Sequence, residues 1–187
     1  HMDFAIEADR ERVARFWNTE NLAQKPGMMA VDMFRAMEEG KIRAIWIMAT
    51  NPAVSLPDSA RVRRALERCD FVVVSDCVTK NDTMAYADIV LPAAAWGEKD
   101  GTVTNSERCI SRQRAFEAPA GEARADWRII CDVAKHMGYG HAFSYKSPAD
   151  IFREHAALSA FENDGARAFD ISGLADLSDA EYDSLEP

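Results

Sequence analysis

Between Gly97 and Arg108 the chain crowds Glu98, Lys99, Asp100, Thr102, Thr104, Asn105, Glu107 and Arg108 around two glycines, Gly97 and Gly101. Just upstream, Ile89-Val90-Leu91 reads as a buried strand stopped at Pro92. Polar groups with glycines beyond a strand end are where α/β proteins place ligands. A solvated charge run would have the same composition, so this segment alone names a place and not a reaction. A lysine such as Lys99 offers a cation to a pyrophosphate.

Two earlier strand exits supply complementary chemistry. One delivers Thr50-Asn51-Pro52 and the other Ser75-Asp76. Asn51 brings both a donor and an acceptor, and an ionised Asp76 accepts from ribose hydroxyls or from a guanine N–H edge. If the three strands are adjacent, these loops share one edge of the sheet. Two features argue against an ordinary NAD site. The chain has no G-x-G-x-x-G, and Pro52 stands where a phosphate-cradling glycine would be wanted.

The elements behind these loops alternate. Asp9 to Trp17 suits a short amphipathic helix with Val13, Phe16 and Trp17 on one face. Lys25-Pro26-Gly27 breaks the chain. Ala30, Met33, Phe34 and Met37 follow helical spacing up to Gly40. Ile42 to Ala49 is a nearly continuous apolar run, as in strands of a parallel sheet. Thr50 to Asp58 reads as a loop. Asp58 or Ser59 caps a helix with Val62, Ala65, Leu66 and Cys69 inward. Phe71 to Val74 is a second strand, Asn81 to Ala87 a short helix, and Ile89 to Leu91 the third strand. This alternation predicts a doubly wound, Rossmann-like parallel sheet with helices on both faces, and so an α/β fold.

Beyond Gly101 the pattern changes. Thr102 to Arg114 reads as irregular or short β structure. Asp126 to His136 is a helix with Trp127, Ile130, Cys131 and Ala134 inward, and Asp126 suits its N-cap. Ser147-Pro148-Ala149-Asp150 and Ser178-Asp179-Ala180-Glu181 are helix starts with capping boxes. Glu162 to Gly173 is mostly loop. The expected organisation is a helical lead-in over 1–26, an α/β dinucleotide-binding-like domain over 27–101, and an irregular, helical extension over 102–187 that packs on it.

The wording of these segments carries a resemblance. LPAAAWGEKDGTVTNSER, followed by PAGEARADW from Pro119 to Trp127, resembles the molybdopterin oxidoreductases, which carry two molybdopterin guanine dinucleotides. Upstream, WIMATNPAVSLPD (Trp46 to Asp58) and FVVVSD (Phe71 to Asp76) look like the same family in the same order, so the resemblance covers Pro26 to Tyr139. The tail from His141 onward looks like the assimilatory nitrate reductases in particular. The resemblance implies that this layer holds the guanosine end of one molybdopterin guanine dinucleotide, with Asn51, Ser75, Asp76, Lys99 and Asp126 as the matching positions. Each has a plainer role open to it: turn former, strand-end hydroxyl, loop charge or helix cap. One departure stands out. Where the family has Glu-Arg-Arg, this chain has Glu107-Arg108-Cys109, a thiol in place of a guanidinium.

The same resemblance implies what the chain lacks. The family's molybdenum ligand and the cysteines of its [4Fe-4S] cluster lie upstream of the matching segment, and a second pterin-binding domain lies downstream. The expectation is therefore an internal piece of a larger cytoplasmic enzyme that reduces nitrate to nitrite. The isolated piece would be inactive and would hold no metal or cofactor. Its partners would be the remaining domains and an electron-donor protein or domain. A formate dehydrogenase of the same family, or a stand-alone nucleotide-binding or interaction module, remains an alternative.

Bulk properties agree with a globular role. The chain has 187 residues, is 48% hydrophobic and carries a net charge of −9. That charge disfavours a nucleic-acid or anionic membrane partner. No apolar run approaches the roughly 18 residues that span a bilayer. The start shows no signal-peptide pattern, and His1-Met2 reads as a cloning remnant or as native sequence of an excised fragment. Cys69, Cys77, Cys109 and Cys131 form no C-x-x-C, which fits free thiols in a reducing compartment. His136, His141 and His155 lack metal-pair spacing and read as surface or packing residues.

Overall fold

The computed structural model describes residues 2–186, so His1 of the His1-Met2 start lies outside the described residues. In chain order the elements are α1 (Glu7–Phe16), α2 (Ala30–Glu38), β1 (Ala44–Met48), α3 (Pro52–Ser55), α4 (Ser59–Arg68), β2 (Phe71–Asp76), β3 (Ile89–Pro92), β4 (Gly101–Thr104), β5 (Ile110–Gln113), α5 (Asp126–His136), α6 (Pro148–Ala160) and α7 (Asp179–Ser184). Two compact units are threaded discontinuously. One comprises Met28–Lys99 and Ala115–Ser144, and the other the residues up to Gly27, Asp100–Arg114 and those from Tyr145 onward.

The first unit is an α/β layer. Its sheet is parallel, in the order β1-β2-β3, with Trp46 beside Val73 and Val73 beside Ile89. Alternation along each strand sends Ile45, Ile47, Val72 and Val74 to one face. Phe34 and Met37 of α2 and Val62, Ala65 and Leu66 of α4 close over that face to form the core. Helix α4 starts where the sequence reading puts it. Asp58 adopts a left-handed φ of 56° and its carboxylate accepts from Arg61 N at 3.2 Å. Gly40, at φ 76°, lies just past α2, where a side chain would be strained.

Several expectations are corrected. The strand at Ile89–Pro92 is not buried: Ile89 and Val90 are 43% and 45% exposed. A short apolar run reads alike for a central and an edge strand, and β3 is an edge strand. The loop expected over Thr50 to Asp58 contains α3, with Pro52 in its first turn, where a missing N–H costs nothing. The helix expected over Asn81 to Ala87 is a single 3₁₀ turn, Met84–Tyr86. Helix α5 buries Ile129 with Ala134, leaving Trp127, Ile130 and Cys131 half-buried. Asp126 is its first helical residue and not its cap, which falls on Ala125.

The second unit is built around the antiparallel hairpin β4–β5 and α6. Ala149, Phe152 and Tyr182 form its core, joined by Ile110, Ile171 and Leu174. Both expected capping boxes are present, Ser147 with Asp150 and Ser178 with Glu181. Helix α1 packs with its Phe16 ring edge-on to Phe161 at 5.3 Å, and Trp17 Nε1 donates to Glu154 at 2.8 Å. Arg112 of β5 is buried. It donates to the Tyr182 carbonyl at 3.2 Å, pairs with Asp100 and Asp183, and lies 4.2 Å from the Tyr182 ring centroid.

Candidate functional site

The carboxyl ends of β1, β2 and β3 lie at one edge of the sheet, because all three strands are parallel and in register. Asn51 leaves β1 and caps α3 in position without a side-chain capping bond. Its Oδ1 instead accepts from Thr83, from the backbone N at 3.2 Å and from Oγ1 at 2.7 Å. The Thr83 hydroxyl in turn accepts from Ala53 N at 3.2 Å and is fully buried. Asp76 ends β2. Cys77 N donates to its Oδ1 at 2.7 Å and Asn81 Nδ2 to its Oδ2 at 2.9 Å. Asn51 and Asp76 are thus tied to one stretch, Asn81 to Thr83, and through it to each other.

Asp76 is half-buried, and each of its oxygens takes one of these bonds. A carboxylate has about four acceptor positions, so it keeps capacity toward a ligand. Next to it, the Arg63 guanidinium holds the Asp82 carboxyl below the usual range, with Asn51 adding a smaller effect.

Lys99 and Asp126 meet beyond β3. The backbone sets this up: Ala94 N donates to the Arg124 carbonyl at 2.8 Å, which brings the start of α5 beside the strand exit. Lys99 Nζ then lies 2.7 Å from Asp126 Oδ2, with the two side chains 32% and 34% exposed. A half-exposed pair of this kind is worth about 1 kcal/mol or less, so an incoming anion can take over the ammonium. Ser75 behaves differently. It is 1% exposed, and its Oγ accepts from Trp46 Nε1 at 2.7 Å on the side of the sheet away from α2 and α4.

Sequence reasoning missed Thr83 and Asn81, which organise the Asn51 and Asp76 side chains. The available signal was the polar Asn81-Asp82-Thr83 run between two strands, which is turn chemistry and not helix. It also missed Trp46 as the partner of Ser75. Of the polar cluster that drew attention, Gly97 to Lys99 belongs to the α/β unit and Asp100 onward to the other. Cys109 is exposed, and its N donates to Asn105 Oδ1 at 3.0 Å in a turn. Among the described residues no group of three or more His, Cys, Asp or Glu is placed to hold a metal ion, and no helix is long and apolar enough to cross a membrane.

Residues 7–136 match the model of the molybdopterin oxidoreductase family. The chain belongs to that family. Among molybdopterin oxidoreductase relatives, a nitrate reductase of Klebsiella oxytoca is 58% identical over 187 residues, all of this chain and 22% of that protein. The assimilatory nitrate reductase catalytic subunit of Bacillus subtilis is 36% identical over 96% of this chain and 24% of its own length. The F420-dependent formate dehydrogenase subunit alpha of Methanocaldococcus jannaschii is 44% identical over 80% of the chain and 22% of its own length. The chain therefore spans under a quarter of these relatives. The fold is similar to acetylene hydratase from Pelobacter acetylenicus, with TM-score 0.62 and 23% identity over 84% of this chain and 22% of that one.

Proposed function

We propose that the chain is the guanosine-holding part of a molybdenum-dependent nitrate reductase, one that converts nitrate to nitrite within a longer cytoplasmic polypeptide. The supporting observation is the linked pair at the sheet edge, Asn51 through Thr83 and Asp76 through Asn81. Its donor set fits the nucleotide end of a molybdopterin guanine dinucleotide. Asp76 would accept from the guanine N–H edge or a ribose hydroxyl, Asn51 would add an amide, and Lys99 would leave Asp126 for the pyrophosphate. Ser75, buried under Trp46, would shape the floor rather than touch the ligand. The bound cofactor would supply the two-electron redox centre, and electrons would reach it from an iron–sulfur cluster and an electron donor elsewhere. The part of this chain's residues in that reaction would be to bind and orient the cofactor.

The test is Asp76→Ala in the full-length enzyme. Losing a charged hydrogen bond of about 1.5–3 kcal/mol lowers cofactor affinity roughly ten- to a hundredfold. Guanine nucleotide and molybdenum released from purified enzyme should fall accordingly, and normal content would refute the reading. A formate dehydrogenase is the second reading, favoured by the 44% identity to the Methanocaldococcus jannaschii subunit. Assaying the full-length protein with nitrate and with formate separates the two.

A further inference from the structure

We propose that Thr83 is a positioning residue: it sets which end of the Asn51 amide faces the ligand, and so favours guanine over adenine at the strand ends. The inference deepens the guanosine reading and rests on it. A threonine just ahead of a helical turn ordinarily spends its hydroxyl on capping that turn. Thr83 stands in that place before Met84–Tyr86, yet its side chain makes no capping bond. Asn81 does that work, its Oδ1 accepting from Met84 N at 2.8 Å. Thr83 is 0% exposed, and its hydroxyl serves the exit of β1 instead. It accepts from Ala53 N at 3.2 Å and donates to Asn51 Oδ1 at 2.7 Å, while Thr83 N donates to the same oxygen at 3.2 Å.

These contacts have one polarity. Ala53 N can only donate, so the hydroxyl accepts there and sends its own proton to Asn51. Were the Asn51 amide turned over, its NH2 would meet the Thr83 N–H, donor against donor. Oδ1 is therefore committed to Thr83, and the N–H end points elsewhere. The neighbouring Asp82 agrees: after the larger contribution of Arg63, a hydrogen bond from Asn51 helps hold that carboxyl below its usual range, and only the amide N–H end can supply it. An amide nitrogen carries two donors, so one remains for a ligand. Asp76, tied to the same stretch through Asn81, is acceptor-only when ionised. The site thus offers a donor from the end of β1 and an acceptor from the end of β2. Guanine presents an acceptor, O6, with N–H donors beside it, whereas adenine has an amino donor in the place of O6. The first base matches that pair, and the second sets donor against donor.

The experiment measures binding of GDP and of ADP to the full-length enzyme purified without cofactor. Wild type should favour GDP. Thr83→Val keeps the shape and removes the hydroxyl, and should cut that preference roughly three- to tenfold, while Thr83→Ser should retain it. Asn51→Asp is the second probe and stands whether or not Thr83→Val folds. A carboxylate oxygen still accepts both Thr83 bonds, but the ligand-facing donor becomes an acceptor, so the preference for GDP should be lost. An unchanged preference in Thr83→Val or in Asn51→Asp overturns the inference, as does a Thr83→Ser that behaves like Thr83→Val. Asp76→Ala is measured alongside. If it leaves GDP binding unchanged, or if wild type binds GDP no better than ADP, the guanosine reading falls as well. If it weakens GDP binding while Thr83→Val keeps the full preference, this inference falls alone.

Discussion

At the strand ends of the α/β unit, Asp76 is half-buried, Lys99 is 32% exposed, and each makes few, short bonds to near neighbours. Around β5 in the other unit, the Arg112 side chain is 2% exposed and meets two carboxylates, three carbonyls and an aromatic ring. Both regions are polar and both contain an Asp and a cation. The difference lies in what remains unsatisfied. Arg112 has its donors matched by protein and so fastens chain to chain. Asp76 accepts one bond on each oxygen and keeps acceptor capacity beyond them. Charge alone does not mark a site; unmatched, accessible capacity does.

Substitutions can break or sharpen this contrast. Arg112→Met should have the largest effect, because it strips a buried cation from Asp100, Asp183 and several carbonyls. The expected loss is about 3 kcal/mol, below the full cost of a buried pair since both aspartates are partly exposed, and it is read from the urea midpoint. Asp76→Ala should do the reverse: a small change in that midpoint, with cofactor affinity of the full-length enzyme down roughly ten- to a hundredfold. If Asp76→Ala unfolded the protein as severely as Arg112→Met, the contrast would collapse.

Two smaller effects sharpen it. The Tyr182 hydroxyl is buried with no hydrogen-bond partner, and burial raises its pKa. Tyr182→Phe removes that unmatched group and keeps the ring beneath Arg112, so it should raise stability by about 1 kcal/mol. A loss of stability would reveal a partner for the hydroxyl. Lys99→Ala should change stability least, by less than about 1 kcal/mol, because its bridge is half-exposed. It should still weaken cofactor retention, and more so at low salt than at high salt.

How much of this was legible depended on the range of the interaction. The capping residues Asp58, Ser147 and Ser178 were readable because a cap and its target lie three residues apart. The parallel alternation and the family followed from runs such as FVVVSD and LPAAAWGEKDG. The fate of Ser75 was not legible, since Trp46 reaches it across 29 residues. Nor was the structural role of Arg112, whose partner Asp183 lies 71 residues on. The exposure of Ile89 was hidden for a related reason: strand order, and so which strands lie at an edge, is not written in a strand's own residues.

Pro92 bears on how the sheet can grow. Ala93 N donates inward to Asp76, whereas the Pro92 carbonyl accepts outward from Arg124 N, so the missing Pro92 N–H is on the outer edge of β3. That edge is occupied by a single bridge and lacks a donor, which deters another strand from docking there. This disfavours stacking of copies β1 edge to β3 edge, the head-to-tail arrangement that propagates into a fibre. Pairing through two β1 edges remains, but it is symmetric and self-limiting, and stops at two. One proline thus works against head-to-tail growth from this sheet.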